Sequence, residues 1–102
     1  MIHVIATIEL SAGKRDAFLE AFRPVVPQVR DEDGCLAYGP TIDVETNIAA
    51  QGDARGDVVT VVEQWESLDA LEKHLVAPHM LEYRKMVKDL VVATKIAVLE
   101  PV

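Results

Sequence analysis

Two segments, VVTVVEQWE at Val58 to Glu66 and VVATKIAVLE at Val91 to Glu100, are apolar on both parities of a strand. Successive side chains of a strand point to opposite faces. Val59, Val61 and Trp65 therefore share one face of the first segment, and Val58 and Val62 the other. In the second, Val91, Ala93, Ala97 and Leu99 oppose Val92, Ile96 and Val98. A half-solvated antiparallel sheet alternates apolar with polar residues. A sheet built from these strands needs cover on both faces.

The remaining elements say what the sheet is joined to. Ile2 to Leu10 reads as a first strand, with Ile2, Val4, Ala6 and Ile8 on one face and His3, Ile5, Thr7 and Glu9 on the other. Phe18, Phe22, Val25 or Val26, and Val29 then recur at helical spacing to about Asp31. Pro24 and Pro27 each remove a backbone donor, which predicts a kink or an early end near Arg23. Gly34 suits the left-handed residue that closes a helix. Within CLAYGPTIDV, Gly39 and Pro40 predict a bulge or an edge position for strand two. The small, polar stretch from Glu45 to Asp57 predicts a long, mobile hairpin loop. Ser67 is a good N-cap for a short helix carrying Leu68, Leu71 and Leu75, and Pro78 ends it or opens the next, with Met80, Tyr83, Val87 and Leu90 on one face.

The order β, α, β, β, broken α, β is the split βαβ arrangement of a ferredoxin-like α+β fold, an antiparallel sheet with helices over one face. Residues 1–102 form one domain on this reading. Helices cover one side only, so the doubly apolar strands predict that the open face packs on a second copy about a two-fold axis, forming a dimeric α+β barrel. The alternative is a monomer whose strands are simply hydrophobic, although apolar patches of that size are uncommon on monomers.

Composition narrows the partners. Of the 102 residues, 50% are hydrophobic and 26% charged, which excludes a disordered chain. A net charge of -7 disfavours nucleic acid and anionic lipid. A single cysteine, Cys35, cannot form an internal disulfide, and MIHVIATIEL lacks the features of a secretory signal, so a cytoplasmic homodimer is expected. The apolar tract from Leu90 is too short to span a bilayer and is interrupted by Lys95. No membrane partner is expected.

Candidate chemistry gathers between Glu63 and Met80. Glu63 and Trp65 share a face with Val59 and Val61, and a carboxylate among valines is raised in pKa unless it is paired. A glutamate solvated at the strand end, or paired with a basic residue, is the other reading. Trp65 is either core packing or a flat wall for an aromatic ligand. His74 lies about two turns past Ser67, pointing into a pocket or merely favoured by the helix dipole. His79 follows Pro78. The two histidines are five apart across a break and are not the i, i+4 pair of helical zinc sites, so no metal is expected. No phosphate loop, serine elbow or dinucleotide fingerprint is present.

GCLAY at 34 to 38 and VVTVVEQWESLDALEKHLVAPHM at 58 to 80 together resemble the antibiotic biosynthesis monooxygenase family. Its members show a Glu-x-Gly-Cys-x-x-Tyr-like segment before strand two, then Glu-x-Trp at a strand end and His-x-x-x-x-His after it. The matching residues are Gly34, Cys35, Tyr38, Glu63, Trp65, His74 and His79, with Asp33 before Gly34 and Glu32 set one place before the usual acid. Strand one carries Thr7, not the asparagine of the haem-degrading branch. The resemblance implies the dimeric barrel and an oxidoreductase that oxidises a small electron-rich aromatic, a quinol or anthrone, with molecular oxygen and no cofactor. It implies His74 as base, Glu63 orienting or replacing it, and Trp65 beside them as the catalytic group. Tyr38 would bound the ring, Thr7 would contact substrate, and His79, Met80 and Tyr83 would line the mouth. The family also contains an isomerase, so proton transfer on a hydroxy-ketone is an alternative, as is a non-catalytic dimeric ligand-binding protein.

Overall fold

A computed structural model describes all residues, 1–102. Strand β1 (Ile2–Leu10) leads into helices α1 (Arg15–Phe22) and α2 (Val25–Arg30), then β2 (Cys35–Thr41), β3 (Val58–Trp65), helices α3 (Leu68–Leu75) and α4 (Pro78–Val87), and β4 (Val91–Leu99). The strand order is β2-β3-β1-β4 with every neighbouring pair antiparallel. Two βαβ units thus interleave, each inserting a strand between the two of the other, as expected for the ferredoxin-like α+β fold.

Local chemistry sets the boundaries. The first helical stretch breaks at Arg23 and Pro24, where proline removes the donor that would continue the ladder. Ser67 caps α3, its side chain accepting a hydrogen bond from the Ala70 amide, and Pro78 occupies the first turn of α4, where its missing N–H costs nothing. Strand β2 is an edge strand with a register shift between Cys35 and Ala37. Gly34 has φ +83°, the left-handed conformation expected, but in the turn entering β2, beyond the cap of α2. A Cβ there would lie 2.6 Å from Cβ of Ala70 on α3, so glycine also permits the close approach that holds this turn against the helix.

The segment from Glu45 to Asp57 is part of the long connection expected between β2 and β3. It contains a 3-10 turn at Ala49–Gln51, and the Arg55 guanidinium donates to both carboxylate oxygens of Asp43 at its neck. Two polar side chains 12 residues apart close the loop, a link that periodicity does not reveal.

The buried face of β1 carries Ile2, Val4, Ala6, Ile8 and Leu10; that of β3 carries Val59, Val61, Glu63 and Trp65. Phe18, Phe22, Tyr38 and Tyr83 lock the helices to it, with Phe22 5.9 Å from Tyr38 and 5.4 Å from Tyr83 between ring centroids. Helices α2 and α3 pack on β2 and β3, and α4 packs on the other helices, leaving β4 uncovered. A bulge at Glu9 and Leu10 also shifts the parity of β4, so Val91 turns to the helix side while Ala93 stays on the open face. The gap between α4 and uncovered β4 is where the chain forms its cavity.

Candidate functional site

The cavity occupies about 430 Å³ between the helix layer and the sheet. Ala6 and Ile8 of β1, Val61 and Glu63 of β3 and Tyr38 of β2 form its floor. Phe22, His74, Leu75, Met80 and Tyr83 close it from the helix side. Val87 and Val91 continue the wall, and Arg84, Lys88, Thr94 and Ile96 complete the lining and are exposed, so this side is the mouth.

Register explains how a carboxylate reaches so apolar a place. Glu63 pairs with Val4 on one side and Tyr38 on the other, in the middle of the helix-covered face, and is 5% exposed. Trp65, two residues on and on the same face, donates its indole N–H to Oε1 of Glu63 at 2.9 Å. Burial pushes the Glu63 carboxyl up to about 7 against the pull of that donor, and the Glu32 charge adds to the rise. The group therefore changes protonation near neutral pH.

His74 is 2% exposed on the inner face of α3, its ring 4.6 Å from Trp65 and 5.4 Å from Tyr38 between centroids. Its Nδ1 lies 2.9 Å from Oε2 of Glu32, and Nε2 of His79 lies 2.8 Å from the same oxygen. An ionised carboxylate can only accept, so both ring nitrogens carry hydrogen there. Burial pushes the His74 imidazolium below its ordinary range, with Glu32 opposing, so the neutral ring has a bare lone pair on Nε2. That Nε2, Oε2 of Glu63 and the hydroxyls of Tyr38 and Tyr83 have no protein partner, yet no buried side-chain nitrogen or oxygen is left unsatisfied. Each therefore keeps contact with open space, and all four residues line the cavity.

The structure rearranges several residues singled out from sequence. Tyr38, Glu63, His74, Met80 and Tyr83 converge on the cavity, although Met80 and Tyr83 are buried in its wall and do not stand at the mouth. Trp65 does not line it: the ring sits behind Glu63 and His74, donating to the carboxylate and packing against the imidazole. His79 lies outside the lining, tied to Glu32 behind His74. Thr7 projects from the opposite face of the sheet, across from Thr60 and Lys95, because odd positions of β1 point away from the helices. It cannot contact a ligand in this cavity.

Glu32 is the residue that sequence reasoning missed. It stands two positions before Gly34, so it is itself the acid of a Glu-x-Gly-Cys segment and not one place before it. That motif was the available signal, since its partners lie 42 and 47 residues away.

Comparison with known proteins identifies the family. Residues 1–86 match the sequence model of antibiotic biosynthesis monooxygenases. The chain belongs to the antibiotic biosynthesis monooxygenase family. It is 40% identical over 103 residues to the Escherichia coli K12 protein named "Probable quinol monooxygenase YgiN", covering 99% of this chain and 98% of that one. The family fold extends to solved structures: PA3566 of Pseudomonas aeruginosa superimposes with a TM-score of 0.82 at 28% identity, covering 99% of this chain and 93% of that one. Rv0793 of Mycobacterium tuberculosis superimposes at 0.79 with 27% identity, covering 99% and 94%. No helix of this family member is long and apolar enough to cross a membrane.

Proposed function

We propose that the cavity binds a small hydroxylated aromatic, a quinol or anthrone-like compound, and that the protein oxygenates it with molecular oxygen without a cofactor. The observation that carries this reading is a neutral, buried His74 whose Nδ1–H is held by Glu32 and whose Nε2 faces an apolar cavity. His74 takes the hydroxyl proton of the substrate, and Glu32 stabilises the imidazolium that forms. The phenolate passes one electron to oxygen, and the resulting radical pair recombines at a ring carbon as a hydroperoxide. For a 1,4-naphthohydroquinone, loss of water then leaves the hydroxyquinone: one quinol and one O₂ give one hydroxyquinone and one H₂O. Water excluded from the apolar walls protects the anion and the radical pair. Support also comes from the name of the Escherichia coli relative.

Oxygen uptake by metal-stripped protein with a naphthohydroquinone, corrected for autoxidation, tests the proposal. ¹⁸O from labelled O₂ should appear in the product. Product formed equally without oxygen, or hydrogen peroxide released with no label in the product, would refute it.

Glu32 acts through His74. Glu32→Gln should lower kcat about tenfold or more with KM little changed, and it should move the acid limb of the pH profile to lower pH, because His74 loses the charge that favours its protonated form. A thermal loss with the limb unmoved would mark Glu32 as merely structural.

The two-fold pairing expected from the strands belongs to the same proposal. Ile5, Val62, Ala97 and Leu99 come together on the open face, with Val62 43% and Leu99 47% exposed. Sedimentation should give a dimer, and Val62→Lys, at the centre of this patch, should give a monomer. A wild-type monomer at micromolar concentration would rule the pairing out.

A further inference from the structure

The mouth of the cavity has a polarity that oxygenation alone does not require. Its walls are mostly hydrophobic and its closed end holds Glu63, His74 and Tyr38, whereas Arg84 and Lys88 stand at the exposed end. The two cations are four residues apart, one turn along α4 and its cap, so they share a face. Neither enters an ion pair, although the chain has 17 acidic residues against 10 basic ones. Cations near a helix C-terminus are also favoured by the dipole. Arg84 and Lys85 both stand in that last turn, but of the two only Arg84 also lines the cavity. The charge of Arg84 reaches inward as well: it opposes the upward push of burial on the Tyr83 hydroxyl and disfavours the charged form of His74.

We infer that the ligand of this site is an anionic aromatic, whose fused rings fill the apolar cavity with the reacting hydroxyl toward His74 and whose carboxylate or comparable anionic substituent pairs with Arg84 and Lys88 at the mouth. The inference rests on the proposed aromatic-binding function and adds the substrate class. A protein of net charge -7 repels anions in general, so an anionic ligand needs a local positive patch, and this pair supplies one on the entry path. A neutral quinol would gain nothing from it.

Isothermal titration of the full-length protein with 2-naphthoate and its neutral counterpart 2-naphthamide, neither of which can be turned over, separates the two ideas. At low ionic strength naphthoate should bind about tenfold more tightly, the worth of two charge contacts at a solvent-exposed rim. The advantage should fade with salt and vanish in Arg84→Gln/Lys88→Gln, but survive in Lys85→Gln, which removes the same kind of charge from the same turn. All three side chains are exposed, so these variants leave the core intact. Equal binding of the two compounds, or an equal loss in Lys85→Gln, would overturn the inference while leaving an aromatic-binding site in place. Binding of neither would overturn both.

Discussion

Replacing His74 with glutamine should lower kcat/KM for oxygen-dependent turnover of a naphthohydroquinone by roughly 10²–10⁴-fold, the usual worth of a positioned general base. Glutamine approximates the volume of the ring and its amide can still donate to Glu32, but it offers no basic lone pair to the cavity. The expected effect is on kcat, because apolar walls and not Nε2 supply most of the binding. The change should also cost about 1–2 kcal/mol of stability, since a ring packed between Trp65 and Tyr38 is replaced by a flexible chain. A melting curve taken beside the oxygen-electrode trace separates unfolding from lost chemistry. A folded variant that keeps activity within about threefold would transfer the role of base to Glu63.

Glu63→Gln should move stability and activity in opposite directions. Native Glu63 keeps its proton up to about pH 7, whereas an unfolded glutamate releases it near the ordinary value of 4.5. A raised native pKa gives relative stability that is fully present below pH 4.5, declines as pH climbs to about 7, and is lost above it. The interval corresponds to about 3 kcal/mol between the two plateaus. Glutamine cannot ionise, and its carbonyl can still accept the Trp65 indole N–H, so the variant should not lose this increment. Its melting temperature should match wild type near pH 4.5 and exceed it at pH 8 by on the order of 10 °C. Turnover should fall, and the change in rate near pH 7 expected of wild type should be absent. Parallel melting curves at all pH values would mean that Glu63 is not held neutral by burial. A variant that is more stable but slower would show that the carboxylate is retained for the reaction and not for the fold, a local conflict of the kind that marks functional sites.

Much of the architecture was legible because it depends on neighbours in sequence. Alternation assigned the buried faces of β1 and β3, and the prolines, Ser67 and Gly34 acted through their own backbone geometry. The departures have one cause. The bulge that turns Val91, the Asp43–Arg55 clamp and the placing of the cavity on the face away from Thr7 each depend on which strand, helix or loop lies alongside, and a single segment carries no record of that.

The candidate site divides along the same line. By itself the sequence determined that Glu63 and Trp65 share an inner face, that His74 follows on a capped helix, and that β and α elements alternate as two split units, since each follows from the periodicity of a strand or helix. Only the tertiary structure decided that Trp65 stands behind the site and not in it, that Glu32 binds His74 and His79 through one oxygen, and that Arg84 and Lys88 guard the mouth. Glu32 meets its histidines across 42 and 47 residues of chain, and the burial of each group is set by how the helices pack on the sheet.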